Sequence, residues 1–318
     1  MVRRRGRPLG TGSLIAVPTP ASPLLDLSYL ESGVAWVESQ GFRVRLTEHA
    51  NIGESFKAGP PNLRAADLNA AFSDSEVDAI CPLAGGHAAP GVLRYLDYDL
   101  IGQNPKPFVA FSELTVLHVP LLQKAGLVTF YGPMVSSLDV IPAHAQAAWV
   151  RALTSTEPLG VLDPDGPPAR TIVPGVAEGE LVGGTLSLVE TLLGTSFELD
   201  TRGKVLLLED IGEEPPRIDR FLTHLLNAGK LQQCAGIWLG EFRHCVPREG
   251  RPLFAGRNLT VEQLFDELLG SLGIPAIHGL PVGHGRDSLT IPLGVRVRLD
   301  ADAGRVEFLE PALANSLA

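Results

Sequence analysis

Pro105–His118, PKPFVAFSELTVLH, sets an apolar strand-like segment, Phe108–Phe111, directly against a helix-like one, Glu113–Lys124, with only Ser112 between them. Two readings compete for that residue. A serine at so abrupt a strand-to-helix turn is held clear of the sheet with its hydroxyl exposed, and the N–H groups opening the helix face any negative charge that develops beside it. A serine that opens a helix is also an ordinary N-cap. The glycine-flanked G-x-S-x-G form of a nucleophile elbow is absent, with Ala110 where its first small residue would be.

Outward from this run the chain alternates. Ser13–Val17 is a short apolar strand, Leu27–Gln40 has helical periodicity and Arg43–Leu46 reads as a second strand, a β-α-β opening. A helix at Asn62–Phe72, a buried strand at Asp78–Leu83 that breaks at Gly85-Gly86, a helix at Pro90–Leu96 and a strand at Val128–Tyr131 continue it. Such alternation implies a parallel sheet wrapped by helices. The pattern thins between Ile141 and Thr171, where Asp163–Pro168 (DPDGPP) is a loop signal, so this stretch is expected to connect two domains. Beyond it come short β-type runs with glycines, at Leu181–Leu186, Lys204–Leu208, Gly236–Leu239, Val295–Leu299 and Val306–Leu309, and helices at Pro216–Ala228 and Thr260–Leu272.

The chain has 318 residues, enough for two domains with their own cores, and its 45% hydrophobic and 19% charged residues suit an ordinary globular protein. A net charge of −10 argues against a broad basic face for nucleic acid or anionic lipid. Cys81, Cys234 and Cys245 are widely spaced and odd in number, so neither a disulfide framework nor a zinc ribbon is indicated. The opening MVRRRGRPLGTGS is followed by a stretch broken by prolines rather than an apolar signal core, and Met1–Pro8 reads as a ragged basic terminus. No run reaches the roughly 20 apolar residues of a membrane span. A cytoplasmic location is expected.

If Ser112 is a nucleophile it needs a base, and the base needs an orienting group. Among eight histidines, His284 lies between two glycines in Pro281–Arg286 (PVGHGR), where the backbone can turn tightly and leave the ring unobstructed; it could equally be a surface loop histidine. Glu209 is the first polar residue at the C-terminal end of the Lys204–Leu208 strand, with Asp210, Glu213 and Glu214 as close competitors. Gly85 and Gly86 would let backbone N–H groups approach a substrate carbonyl. Glu241, His244 and Cys245 lack a second cluster that would make a metal site, and Gly85-Gly86 lacks the rest of a dinucleotide fingerprint. No metal and no cofactor are expected.

Taken together these segments resemble the LD-carboxypeptidase family of serine peptidases. Ser112 falls on the nucleophile of its "GYSDiTaLh" segment with Glu113 in place of Asp, Glu209 on the Glu of "lfLED", and His284 on the His of "fPhGHg"; the likeness runs from about Leu14 to Pro311. The resemblance implies an α/β fold: a Rossmann-like or flavodoxin-like parallel-sheet domain over residues 1–140 carrying the nucleophile, a linker over 141–171, and a smaller β-rich, swivelling-barrel-like domain over 172–318 carrying Glu209 and His284. It also implies a Ser112–His284–Glu209 triad and an oxyanion hole from Gly85, Gly86 and the N–H of Glu113. The implied substrate is an L,D-linked muropeptide that loses its terminal D-amino acid, and the implied assembly is a homodimer. The family's "RGGyG" turn is altered, with Ala84, His87 and Ala88 replacing Arg, the aromatic and the third glycine, and Tyr131 and Thr185 replace a usual His and Asn. These departures touch the pocket. They keep open a hydrolase of peptidyl- or aminoacyl-nucleotides like the microcin C immunity branch, and a binding protein without the chemistry.

Overall fold

The computed structural model describes residues 2–50, 52–53, 55–163, 166–247 and 259–314. In chain order its elements are β1 Leu14–Val17, α1 Ser28–Ser39, β2 Arg43–Leu46, α2 Pro61–Ser73, β3 Ala79–Ile80, α3 Tyr98–Gln103, β4 Val109–Ala110, α4 Thr115–Gln123, β5 Thr129–Tyr131, α5 Ala143–Thr154, β6 Gly160–Val161, β7 Arg170–Val173, β8 Val176–Thr185, α6 Leu186–Thr191, β9 Val205–Ile211, α7 Pro215–Asn227, β10 Gly236–Arg243, α8 Val261–Leu269, β11 Ala276–His278, β12 Ile291–Leu293, β13 Arg296–Asp300 and β14 Arg305–Phe308. They fall into two units: residues 1–159, 286–295 and 310–318, and residues 160–285 with 296–309.

In the first unit β2, β1 and β3 form a parallel sheet, and β4, β5 and β12 a second in which β12 alone runs antiparallel. A parallel bridge between Ile80 and Phe108 joins the two at β3 and β4. Strand β1 (LIAV), central between β2 and β3, is buried throughout; the edge strand β2 (RVRL) turns its arginines outward, and Arg45 meets Asp74 and Glu76. The residues of α4 from Thr115 to Leu122 are all buried, as a helix apolar on every side must be. Residues 90–96, expected as a helix, lie mostly in a 3-10 turn, Ala89–Tyr95, that begins after Ala88 in the left-handed region.

The basic N-terminus is not ragged. Arg4 makes a parallel bridge with Leu127, its N–H donating to Gly126 and its carbonyl accepting from Val128, and Leu9 is buried. Hydrogen bonding of the backbone overrides the charge of the arginines, whose heads reach acceptors: Arg3 donates to the Leu122 carbonyl, Arg5 to that of Pro311. Met1, and Pro164 and Asp165 of the expected loop, lie outside the described residues. Most of the stretch expected as a connection is ordered into α5, β6 and the start of β7.

The second unit is β-rich: eight strands in the order β6-β14-β13-β8-β9-β10-β11-β7, parallel from β8 to β11 and antiparallel at the flanks. Strand β9 (VLLLEDI) is buried through Asp210, so its carboxylates sit in the interior rather than on a solvated turn. Helix α7 buries Ile218, Phe221, Leu222 and Leu225, one stripe at helical spacing. Helix α8 opens with a capping box of Thr260 and Gln263.

Candidate active site

Ser112 stands where β4 ends. Phe111 is extended, Ser112 has φ +60, and a 3-10 turn, Ser112–Leu114, leads into α4. A non-glycine residue in the left-handed region is strained and persists only where its surroundings hold it. The hold is visible behind the turn. His118, buried on α4, lies 2.8 Å from the Ala110 carbonyl through Nε2 and 2.8 Å from Thr129 Oγ1 through Nδ1. A carbonyl only accepts, so Nε2 carries the proton and Nδ1 accepts from the hydroxyl. Burial pushes this imidazole down to about 4, which keeps it neutral near pH 7.

Gly85 lies against the serine: a Cβ on it would come 3.3 Å from Ser112 Cβ and 3.4 Å from Oγ. Gly86, with φ +106, packs so tightly on Ser22 that a Cβ would meet its hydroxyl at 2.4 Å. Ser22 Oγ accepts from the His87 N–H and donates to the Phe56 carbonyl. Among the described residues the N–H groups of Gly85, Gly86 and Glu113 make no hydrogen bond within the protein. The Glu113 side chain points away from solvent and accepts from the Ala89 N–H at 3.0 Å; burial raises its pKa, against the pull of the Ala89 amide.

In the second unit Glu209 and His284 meet. Glu209 Oε2 is 2.7 Å from His284 Nδ1, and its Oε1 accepts from the Thr185 hydroxyl at 2.7 Å; the carboxylate is fully buried. The carboxylate thereby orients the ring with Nδ1–H toward Glu209 and the lone pair on Nε2. Two glycines make room. A Cβ at Gly283, whose φ is +128, would lie 2.5 Å from Glu209 Oε2, and one at Gly240 would lie 2.4 Å from the Val282 carbonyl. Arg243 donates to the His284 carbonyl at 2.8 Å. Two of the competing carboxylates are engaged elsewhere: Asp210 accepts from the Ser187 and Ile211 N–H groups, burial pushing its pKa up to about 6, and Glu213 pairs with Arg217. Among the described residues no group of three His, Cys, Asp or Glu side chains could hold a metal ion.

The family signatures for the LD-carboxypeptidase N-terminal domain and C-terminal domain match residues 15–132 and 178–299. The probable murein peptide carboxypeptidase of Bacillus subtilis is 38% identical over 92% of this chain and 90% of its own. The chain belongs to the LD-carboxypeptidase family. Membership makes it a serine-type carboxypeptidase by class. Two solved structures extend the likeness across the fold of this LD-carboxypeptidase relative. The MccF-like protein from Bacillus anthracis superposes with a TM-score of 0.85 at 27% identity, covering 96% of this chain and 99% of that one. The muramoyltetrapeptide carboxypeptidase from Oxalobacter formigenes gives 0.80 at 26% identity, covering 94% and 100%.

Along the sequence Thr185 stands out only as a departure from the family pattern, and nothing marks a role for the carboxylate of Glu113, for His118 or for Ser22. A Thr closing a strand that pairs in parallel with the strand of Glu209 is the available signal for the first; nothing local announces Ser22 or Glu113, whose partners lie 65 and 24 residues away, while His118 meets Ala110, eight residues back, only once the strand-to-helix turn has closed.

Proposed function

We propose that this enzyme cleaves the amide bond to a terminal D-amino acid in L,D-linked muropeptides, with Ser112 as nucleophile, His284 as base and Glu209 as the group that orients it. The observation that carries the reading is the buried Glu209–His284 pair, whose Nδ1–H contact leaves Nε2 as the proton acceptor. Ser112 Oγ attacks the amide carbonyl while its proton passes to His284 Nε2. Charge on the carbonyl oxygen falls to the backbone N–H groups of Glu113 and of Gly85 or Gly86, which have no other acceptor in the described protein. The imidazolium then protonates the departing amine of the D-residue, and water releases the acyl group from Ser112 by the same proton path. No step requires a metal or a cofactor. The substrate class comes from the relatives named as murein carboxypeptidases, and we extend to this chain a cytoplasmic location and a homodimer.

A second substrate is favoured by the Gly85–Ala89 turn. His87 is exposed and set edge-on to the exposed ring of Phe56, 6.4 Å between centroids, a pair suited to a planar base, and the MccF-like neighbour shares the fold. Mass spectrometry of products from tetrapeptide muropeptide and, in parallel, an aminoacyl-sulfamoyl adenosine separates the two: loss of a terminal D-residue supports the first, cleavage of the nucleoside conjugate alone the second. A fluorophosphonate probe should label Ser112 and fail on Ser112→Ala; labelling at another residue would remove the nucleophile assignment.

A further inference from the structure

Glu113 contributes more than its backbone to the arrangement around Ser112. The residue is only 7% exposed, and among the described residues its carboxylate makes no ion pair. What it does meet is backbone: the Ala89 N–H at 3.0 Å, with the Ala88 N–H also turned toward it. Those amides end the Gly85–Ala89 turn. The turn holds two residues at positive φ, Gly86 at +106, which glycine adopts freely, and Ala88 at +74, where a non-glycine needs an external hold. The other holds act elsewhere on it: Ser22 on the Gly85 carbonyl and His87 N–H, and buried Arg64 on the Ala88 carbonyl at 3.0 Å. The Glu113 carboxylate ties the far end of the turn, at Ala88 and Ala89, to the segment that carries Ser112.

We propose that Glu113 is a positioning residue whose carboxylate clamps the Gly85–Ala89 turn against the serine elbow, so that one residue supplies an oxyanion N–H from its own backbone and fixes the loop bearing the other. The inference rests on Ser112 being the nucleophile. The geometry gives it force because Gly85 lies beside Ser112, where even a single added Cβ would come 3.3 Å from the serine Cβ, so a small shift of the turn alters the spacing between donor and nucleophile. An acceptor is what the clamp requires; charge is not.

Three variants test it, read by the rate of fluorophosphonate labelling at Ser112 and by amide hydrogen exchange of the 84–90 peptide. Glu113→Gln keeps an oxygen at the same reach and should stay within about threefold of wild type in both. Glu113→Met keeps the length without the acceptor and should slow labelling about tenfold or more while exchange of the peptide rises. Glu113→Asp, one methylene short, should behave like Met and carries the test if Met fails to fold. Labelling by the folded Met or Asp variant at the wild-type rate, a Gln variant as slow as Met, or slowed labelling with unchanged exchange would each overturn the clamp. Wild-type labelling that persists in Ser112→Ala would instead strike the nucleophile assignment, whatever the exchange data show.

Discussion

At the scale of single residues the reading stands on three side chains that should act as one. Ser112→Ala and His284→Ala are each expected to lower kcat by roughly 10³-fold or more, and the double variant to be little worse than either, since a nucleophile without its base and a base without its nucleophile are equally idle. Additive losses in steady-state kinetics would separate their roles. Thr185 offers a finer test. Its hydroxyl is the second partner of the Glu209 carboxylate, so Thr185→Val leaves a buried oxygen with one bond fewer at nearly constant volume. The expected result is a loss in kcat of about tenfold with KM little changed, because the ring of His284 loses its reference and no contact with substrate is removed. A change confined to KM would place Thr185 in the pocket instead.

At the scale of elements, α4 is locked to β4 and β5 by a histidine that avoids its charge. The folded-state pKa of His118 lies at about 4, below the ordinary 6.5, so between those values the unfolded chain binds the proton and the folded one does not. Stability conferred by this residue is therefore complete above about pH 6.5 and falls as the pH drops toward 4, by about 3 kcal/mol in all. Asp210, raised to about 6, works in the opposite sense, so the informative quantity is a difference between proteins. Urea denaturation at pH 7 and pH 4.5 should show a smaller acid-induced loss for His118→Gln than for wild type, and equal losses would mean the imidazole does not stay neutral. The loop after β11 is tested by Gly283→Ala. The added Cβ would drive into Glu209 Oε2 in a backbone conformation alanine resists, so activity should fall about a hundredfold.

At the scale of the whole molecule, each unit is built from separated pieces of chain. Residues 286–295 return to the first unit after His284 and place β12 against β5, with Thr290 packed on Gly132. A fragment ending at residue 159 keeps every helix of that unit yet leaves the edge of β5 bare. It should bind a hydrophobic dye more strongly, or aggregate more, than the full chain; a monomeric fragment with native-like hydrogen exchange at β5 would show that β12 is dispensable. Treatment of the full enzyme with a chelator should leave turnover intact, as the proposed route passes no proton or charge through a metal. A large loss restored by zinc would count against it.

Sequence by itself determined what depends on neighbours along the chain. The alternation of apolar runs and helical periods placed β1, α1, β2, α2, α4, β5, α7 and α8 to within a few residues, because burial stripes and turn residues are local. The abrupt Phe111-Ser112-Glu113 junction and the glycines around His284 were legible for the same reason, though each could still have been a cap or a loop. Tertiary structure decided the rest. That Ser112 sits at φ +60, that Glu209 rather than Asp210 faces His284, that Glu113 reaches Ala89, and that Arg4 joins Leu127 all depend on residues between 24 and 123 positions apart, or on the backbone angle they impose. Adjacent carboxylates on one strand point to opposite faces, so only the packing of β8 and the loop bearing Gly283 determines which of the two meets the imidazole.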